Sequence, residues 1–331
     1  MVPGTTAMRA EHRLTEDAST DGAPQSAEAL TKGPNTNTDG LVAIIIPTKN
    51  RRVLLERALA SVFRQTYTNI VAIVVNDGST DDTRQFLDAL AAREPRLIVR
   101  HTEKSMGAPS ARNLAIRLAE AQYVTGLDDD DEFLTDRIAL LVAKWKSLGD
   151  ETQSISCLFT ESLMTDGVSS AVTVDRKDSV SYTDLFTHNF IGNQIFCPLE
   201  RVVAIGGYDR DLPAWQDLEM FMRLVQSHGV ARREKHATYV CFVDPRNDRI
   251  SANPDSLRRA FHLISSKHLD VPKQLHHRLY MQIFSPFYGT RPTLVDWRRL
   301  LEWRASPALF LRILRANIRH SALKVLSVIR A

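Results

Sequence analysis

The chain has 331 residues, 44% hydrophobic and 24% charged. Such a balance belongs to an ordinary soluble globular protein and excludes a wholly disordered chain, a collagen and a long coiled coil. Net charge is only +3, yet Ser256 to Ala331 holds 14 Lys/Arg against 3 Asp/Glu; a basic tail on an acidic body suits an anionic partner, membrane or nucleic acid.

The length allows one large domain or two ordinary ones. Residues 1 to about 40 are rich in Thr, Ala, Gly, Pro, Asp and Glu without apolar periodicity, and read as disordered. No basic start leads into an apolar stretch there, so no secretory signal is expected and the protein is expected in the cytoplasm. Order begins at Leu41. The β-branched run Leu41 to Ile46 predicts a strand buried on both faces and ended by Pro47. Leu54, Leu55, Ala58, Leu59, Val62 and Phe63 follow at helical spacing. Ile70 to Val75 is a second buried strand, closed by the turn Asn76-Asp77-Gly78-Ser79. Then come a helix from about Thr80 to Ala92, a strand Arg96 to Arg100, a helix Ala108 to Glu120, a strand Tyr123 to Leu127, and a helix from about Leu134 to Leu148.

This alternation implies right-handed crossovers and an α/β fold, a mostly parallel sheet with helices on both faces. Ligands in such sheets bind beyond the carboxyl ends of the strands. Three polar clusters fall there: Pro47-Thr48-Lys49-Asn50, Asn76-Asp77-Gly78-Ser79 and Asp128-Asp129-Asp130-Asp131. From Ser154 to Asp255 the pattern is less periodic, with strands at Ser154 to Phe159 and Thr238 to Val243. One clear helix from Gln216 to Ser227 buries Leu218, Phe221, Met222 and Val225. Residues 256–331 read as a basic helical C-terminal region. In its last segment Leu311, Leu314, Ile318, Val325 and Ile329 share one face beside Arg312, Arg315 and Arg319, a pattern that fits either a membrane interface or packing on the protein itself. His276 and His277 read as surface residues. No apolar run approaches the roughly 18 residues of a membrane-spanning helix. Cys157, Cys197 and Cys241 are odd in number and widely spaced, so they form neither a disulfide framework nor a CxxC metal site, as suits a reducing compartment.

The four consecutive aspartates are the most specific feature. Carboxylates crowded after a buried strand are costly unless neutralised. A hard divalent cation, Mg²⁺ or Mn²⁺, would do so; a solvated acidic loop or helix start is the alternative. No GxGxxG follows the first strand and no GxxxxGK[ST] occurs. A nucleotide diphosphate would therefore be held by a metal on carboxylates rather than by a glycine-rich amide cradle.

Four ordered motifs carry a resemblance: Ile45-Ile-Pro-Thr-Lys-Asn50, Val75-Asn-Asp-Gly-Ser-Thr-Asp-Asp82, Gly107-Ala-Pro-Ser-Ala-Arg-Asn113 and Gly126-Leu-Asp-Asp-Asp-Asp131. Over about residues 41–255 the chain resembles glycosyltransferase family 2. Within that family it is similar to the colanic-acid and related exopolysaccharide glycosyltransferases, through Tyr123 to Glu132, Asn189 to Gln194 and Gln216 to Glu219. The resemblance implies the Rossmann-like GT-A fold, nucleotide-sugar donors and inversion at the anomeric carbon. It also implies site roles. Asp77 would accept a hydrogen bond from the uracil of a UDP-sugar, with Pro47, Thr48 and Asn50 lining the base pocket. Asp128 and Asp130 would form the DxD motif and hold the metal, with Asp129 beside the donor; the run leaves open whether Asp129 or Asp131 touches the metal. Arg112 and Asn113 would lie near the nucleotide or build its pocket, Arg112 serving equally well as a structural ion pair. Asp217 matches the family's catalytic aspartate, and Gln216 stands where the family usually has Glu. Trp215 either stacks on a sugar or packs as a hinge, and Asn193 and Gln194 either face the acceptor or form a polar turn.

The expectation is thus a metal-dependent inverting glycosyltransferase. Its partners would be a nucleotide-sugar donor, a glycan or lipid-linked glycan acceptor, and an anionic membrane surface through the C-terminal helix. A non-catalytic nucleotide-sugar-binding or scaffold subunit is the rival, supported only by Gln216. Nucleic acid is disfavoured as a partner, because the tail has no recognised motif or stacking platform. A processive synthase is disfavoured by the lack of spanning helices and of a QxxRW motif.

Overall fold

A computed structural model of the chain describes residues 38–173, 177–192, 194–242, 253–285 and 287–303. The expected disorder of residues 1–37, the amphipathic helix after residue 303, Asn193 and Val243 lie outside the described residues. The first half alternates as its apolar runs dictate: Val42–Thr48 (β1), Arg52–Phe63 (α1), Ile70–Asp77 (β2), Thr83–Ala91 (α2), Leu97–Thr102 (β3), Ala108–Leu118 (α3) and Tyr123–Gly126 (β4). It continues with Glu132–Phe133 (β5), Arg137–Ser147 (α4), Ile155–Thr165 (β6), Ser170–Thr173 (β7), Ser179–Val180 (β8), Tyr182–Leu185 (α5) and Phe196–Pro198 (β9). Leu199–Ala204 (α6), Gln216–His228 (α7), Val230–Phe242 (β10), Pro254–Lys267 (α8), Lys273–Gln282 (α9) and Leu294–Glu302 (α10) complete it.

The sheet order is β3-β2-β1-β4-β9-β6-β10-β5, with β7 beside β6 and β8 beside β10. β1 runs parallel to β2 and β4, and β6 parallel to β10, whereas β9 is antiparallel to both β4 and β6. The sheet is therefore mixed, more so than the sequence pattern predicts. Pro47 does not end β1 as expected: the strand keeps pairing with β2 as far as Thr48 opposite Asn76, while β4 stops at Gly126 opposite Ile45. Pro47 sits where β1 has already lost its other neighbour, a place that tolerates a missing N–H.

Alternate residues of β1 feed two cores, as a period of two requires. Ala43 and Ile45 face Ala111 and Ala115 of α3 and the apolar side of α7. Val42, Ile44 and Ile46 face Leu55 and Leu59 of α1 and Leu141 and Trp145 of α4. The described part of the C-terminal region forms α8 to α10 around the buried carboxylate of Asp296. Asp296 accepts from Arg258 (2.7 Å), from the Thr293 N–H (2.7 Å) and from the Tyr280 hydroxyl, contacts that hold it well below the usual carboxylate range despite burial. His276 and His277 are not the surface pair expected: His277 stacks on Trp303 at 4.4 Å and His276 meets the edge of Phe186 at 5.9 Å. No helix among the described residues is long and apolar enough to cross a membrane.

Candidate functional site

The tetra-aspartate turn follows β4 directly, and its side chains alternate in exposure. Asp128 and Asp130 keep 25% of their side-chain surface open, against 8% for Asp129, and Asp131 is buried. Asp129 accepts from Thr48 Oγ1 at 2.7 Å and from Arg51 at 3.1 Å. Asp131 accepts from the Phe242 N–H at 3.1 Å. Burial pushes Asp129 up to about 6 and Asp131 up to about 8, the neighbouring carboxylates adding to both. The open pair meets cations: Arg51 reaches Asp130 at 3.0 Å, and Arg112 reaches Asp128 at 2.8 Å. Arginines already offset much of the charge for which the sequence argument invoked a metal. Among the described residues no group of three or more His, Cys, Asp or Glu is disposed to hold an ion, because alternate carboxylates of the run turn inward. Asp128 and Asp130 remain the hard oxygen donors that face outward, the donor type that Mg²⁺ and Mn²⁺ prefer.

β2 delivers Asp77 beside this turn. Its Oδ1 accepts the Met106 N–H at 2.7 Å; its Oδ2 accepts the Gly107 N–H at 2.9 Å and the Ser105 hydroxyl at 2.7 Å. Asp77 thus clamps the 105–107 turn that leads into α3. Gly78 permits the approach: its φ is +65°, and an added Cβ would lie 2.7 Å from the Ser105 nitrogen. Asn50, at φ 54°, donates its N–H to Ser79 Oγ (2.9 Å) and accepts the Thr80 N–H at 2.7 Å. Pro47, Thr48, Asn50 and Asp77 therefore gather at the carboxyl ends of β1 and β2.

Asp217 begins α7. Its Oδ1 is shut from solvent and has no hydrogen-bond partner among the described residues. Burial pushes its carboxyl up to about 6; the Arg112 charge opposes that rise and the Asp128 charge adds to it. Arg112, from α3, lies over the Tyr208 ring at 5.5 Å. The Asp128, Asp217 and Tyr208 fields hold its guanidinium above its ordinary range, against the pull of burial. Gln216 turns back to the Leu212 carbonyl at 3.1 Å.

The other expected site residues serve as supports. Asn113 is buried, donating to the Tyr208 carbonyl and accepting the Tyr208 N–H, each at 2.7 Å. That clasp joins α3 to the loop before α7 and uses both ends of the amide. Gln194 is buried too and donates to Asp128 Oδ1 at 3.1 Å; it lies against Gly126, where an added Cβ would meet its Oε1 at 1.8 Å. Trp215 is 7% exposed and packs rather than standing free. A separate open cleft of about 730 Å³ runs between α3 and the 206–211 turn, lined by Met106, Ser110, Arg117 and Arg210 among others. It shares Met106, Asn113 and Tyr208 with the groups above.

Sequence reasoning missed Arg51, Tyr208, Tyr239 and Tyr288. Arg51 had a signal, being the first cation after the β1 cluster. Tyr239, whose hydroxyl accepts the Asp128 N–H at 3.2 Å, and Tyr288, whose hydroxyl accepts the Trp215 indole N–H at 2.9 Å, had none, because tertiary packing alone brings them in.

Residues 43–157 match the family model described as Glycosyl transferase family 2. The putative colanic acid biosynthesis glycosyl transferase WcaA of Escherichia coli K12 is 31% identical over 267 residues, 79% of this chain and 92% of the relative. The putative teichuronic acid biosynthesis glycosyltransferase TuaG of Bacillus subtilis 168 is 33% identical over 47% of this chain and 61% of its own length. Among solved structures, S. aureus TarS 1-349 in complex with UDP-GlcNAc is similar at TM-score 0.58 and 17% identity, covering 83% of this chain and 79% of that one. The mannosyltransferase PcManGT of Pyrobaculum calidifontis, in complex with GDP-Man and Mn²⁺, is similar at TM-score 0.54 and 20% identity, covering 86% of each. These last two share the fold.

Proposed function

The chain belongs to glycosyltransferase family 2, and from that premise we propose that it moves a sugar, with inversion, from a UDP-linked donor to a lipid-linked glycan in cell-surface polysaccharide synthesis. The names of the colanic and teichuronic acid relatives support the pathway class. The UDP-GlcNAc and GDP-Man held by fold neighbours support the donor class. The basic region from Ser256 onward suits a peripheral position on the cytoplasmic membrane face, where such an acceptor would lie.

One observation carries the reading: a carboxylate oxygen of Asp217 is buried, has no hydrogen-bond partner among the described residues, and is joined electrostatically through Arg112 to Asp128 at the strand ends. Inversion is a single in-line displacement, so the acceptor hydroxyl must lose its proton as it attacks. Asp217 takes that proton as general base, and its raised pKa of about 6 leaves it ionised yet basic at neutral pH. Arg112 keeps Asp217 ionised and orients Asp128 on the donor side. Asp77 holds the 105–107 turn, so that Thr48, Asn50 and that turn frame the base pocket. Asp130 with Asp128 would hold Mg²⁺ or Mn²⁺, which when bound offsets the charge growing on the departing diphosphate.

Asp217→Asn tests the assignment. Turnover of the UDP-sugar should fall on the order of 10²–10⁴-fold, while UDP binding by calorimetry persists. Unchanged turnover would remove Asp217 from the mechanism. A wild type that turns over no donor, with or without Mn²⁺, would favour a binding subunit.

A further inference from the structure

Among the described residues only Asn50 and Trp215 combine a side chain with positive φ. Asn tolerates that region; a bulky indole does so only where its surroundings impose it. Trp215 lies at φ 60°, ψ 27°, immediately before α7, two residues ahead of the proposed base. Its carbonyl accepts the Glu219 N–H at 3.0 Å, which starts the helix.

The group that holds the indole comes from far along the chain. The Trp215 indole Nε1 donates to the Tyr288 hydroxyl at 2.9 Å across 73 residues of sequence. The two rings lie 6.2 Å apart. Tyr288 is fixed in turn by its N–H to the Ser285 carbonyl at 3.1 Å, in the turn that follows α9. That turn lies outside both the motif-bearing region and the residues matched by the family model.

We infer that Tyr288 is a positioning residue for Asp217: by anchoring the Trp215 indole it holds the left-handed turn from which α7 departs, and so the direction of the Asp217 carboxylate. The C-terminal helices are then part of the catalytic apparatus and not only a basic tail. The inference rests on Asp217 being the general base.

Tyr288→Phe keeps the ring and removes the acceptor of the indole N–H. Steady-state kinetics with a UDP-sugar, thermal melting and ¹⁵N-indole NMR are measured on the full chain. Its four tryptophans supply the indole signals, and Trp215→Phe identifies the Trp215 peak. The expected kcat falls on the order of tenfold to hundredfold, the scale of a small misplacement of a reacting group. Donor KM stays within about twofold, as befits lost transition-state alignment and not lost donor binding. The Trp215 indole proton moves upfield, and the melting temperature holds. Wild-type kcat would overturn the inference, as would a kcat loss matched by higher donor KM and a lower melting temperature. If Tyr288→Phe does not fold, Trp215→Phe breaks the same bond from the other side and must show the same split. Asp217→Asn runs in parallel. If it retains turnover, the general-base reading itself fails; if it collapses while Tyr288→Phe is normal, only the positioning role fails.

Discussion

Arg112 donates to Asp128 Oδ1 at 2.8 Å, and the same guanidinium is the main charge opposing the burial-driven rise of the Asp217 pKa. One cation thus serves both a carboxylate of the acidic run and the carboxylate at the start of α7. Arg112→Met should lower kcat, and by removing the stabilising charge it should move the acid limb of the kcat–pH profile above its wild-type position. Arg112→Lys keeps the charge and should move the limb less. Profiles for the three proteins check both statements; coincident limbs would refute the coupling.

The limb itself has a predicted place. As the proposed base, Asp217 would work only when ionised, and its carboxyl is lifted to about 6. Activity should therefore rise as pH climbs through about 6 and then level off. A profile flat down to about pH 4, the ordinary aspartate value, would contradict a base with so raised a pKa.

Asn113 separates a support from a donor contact. Asn113→Ala strips both partners from the buried Tyr208 backbone and should cost about 1–3 kcal/mol of stability, the penalty for leaving such groups unsatisfied. Below the lowered melting temperature, donor KM should stay near wild type. A large KM rise in a fully folded variant would restore Asn113 to the nucleotide site.

Two glycines test the packing around α7. Gly229 ends that helix at φ +91°, and an added Cβ would lie 2.1 Å from the Ser154 carbonyl oxygen; Gly149, at φ +52°, has nothing within 4 Å. Gly229→Ala should therefore lower stability by about 1–3 kcal/mol more than Gly149→Ala, the usual cost of overpacking. Chemical denaturation of the two variants decides it, and equal losses would refute a packing clash at Gly229.

The burial of Val42 to Ile46 on both faces and the polar residues closing β1, β2 and β4 were legible in the primary structure, because a continuous β-branched run and strand-end chemistry are local. Asp217 was singled out by the family resemblance alone. The short strands β5, β7, β8 and β9 were not legible: two to four residues carry no pattern, and such segments become strands only when longer neighbours present free edges.

The sequence by itself determined the α/β layering and the gathering of Thr48, Asp77 and the four aspartates at one sheet end, since each follows from hydrophobic period and crossover handedness. Only the tertiary structure decided which carboxylates of the run face outward, that Arg51 and Arg112 neutralise them, that Asn113 is a clasp, and that Tyr288 reaches Trp215. Ion pairs and hydrogen bonds between residues dozens of positions apart depend on strand order and helix packing. Neither quantity is encoded in any single stretch of chain.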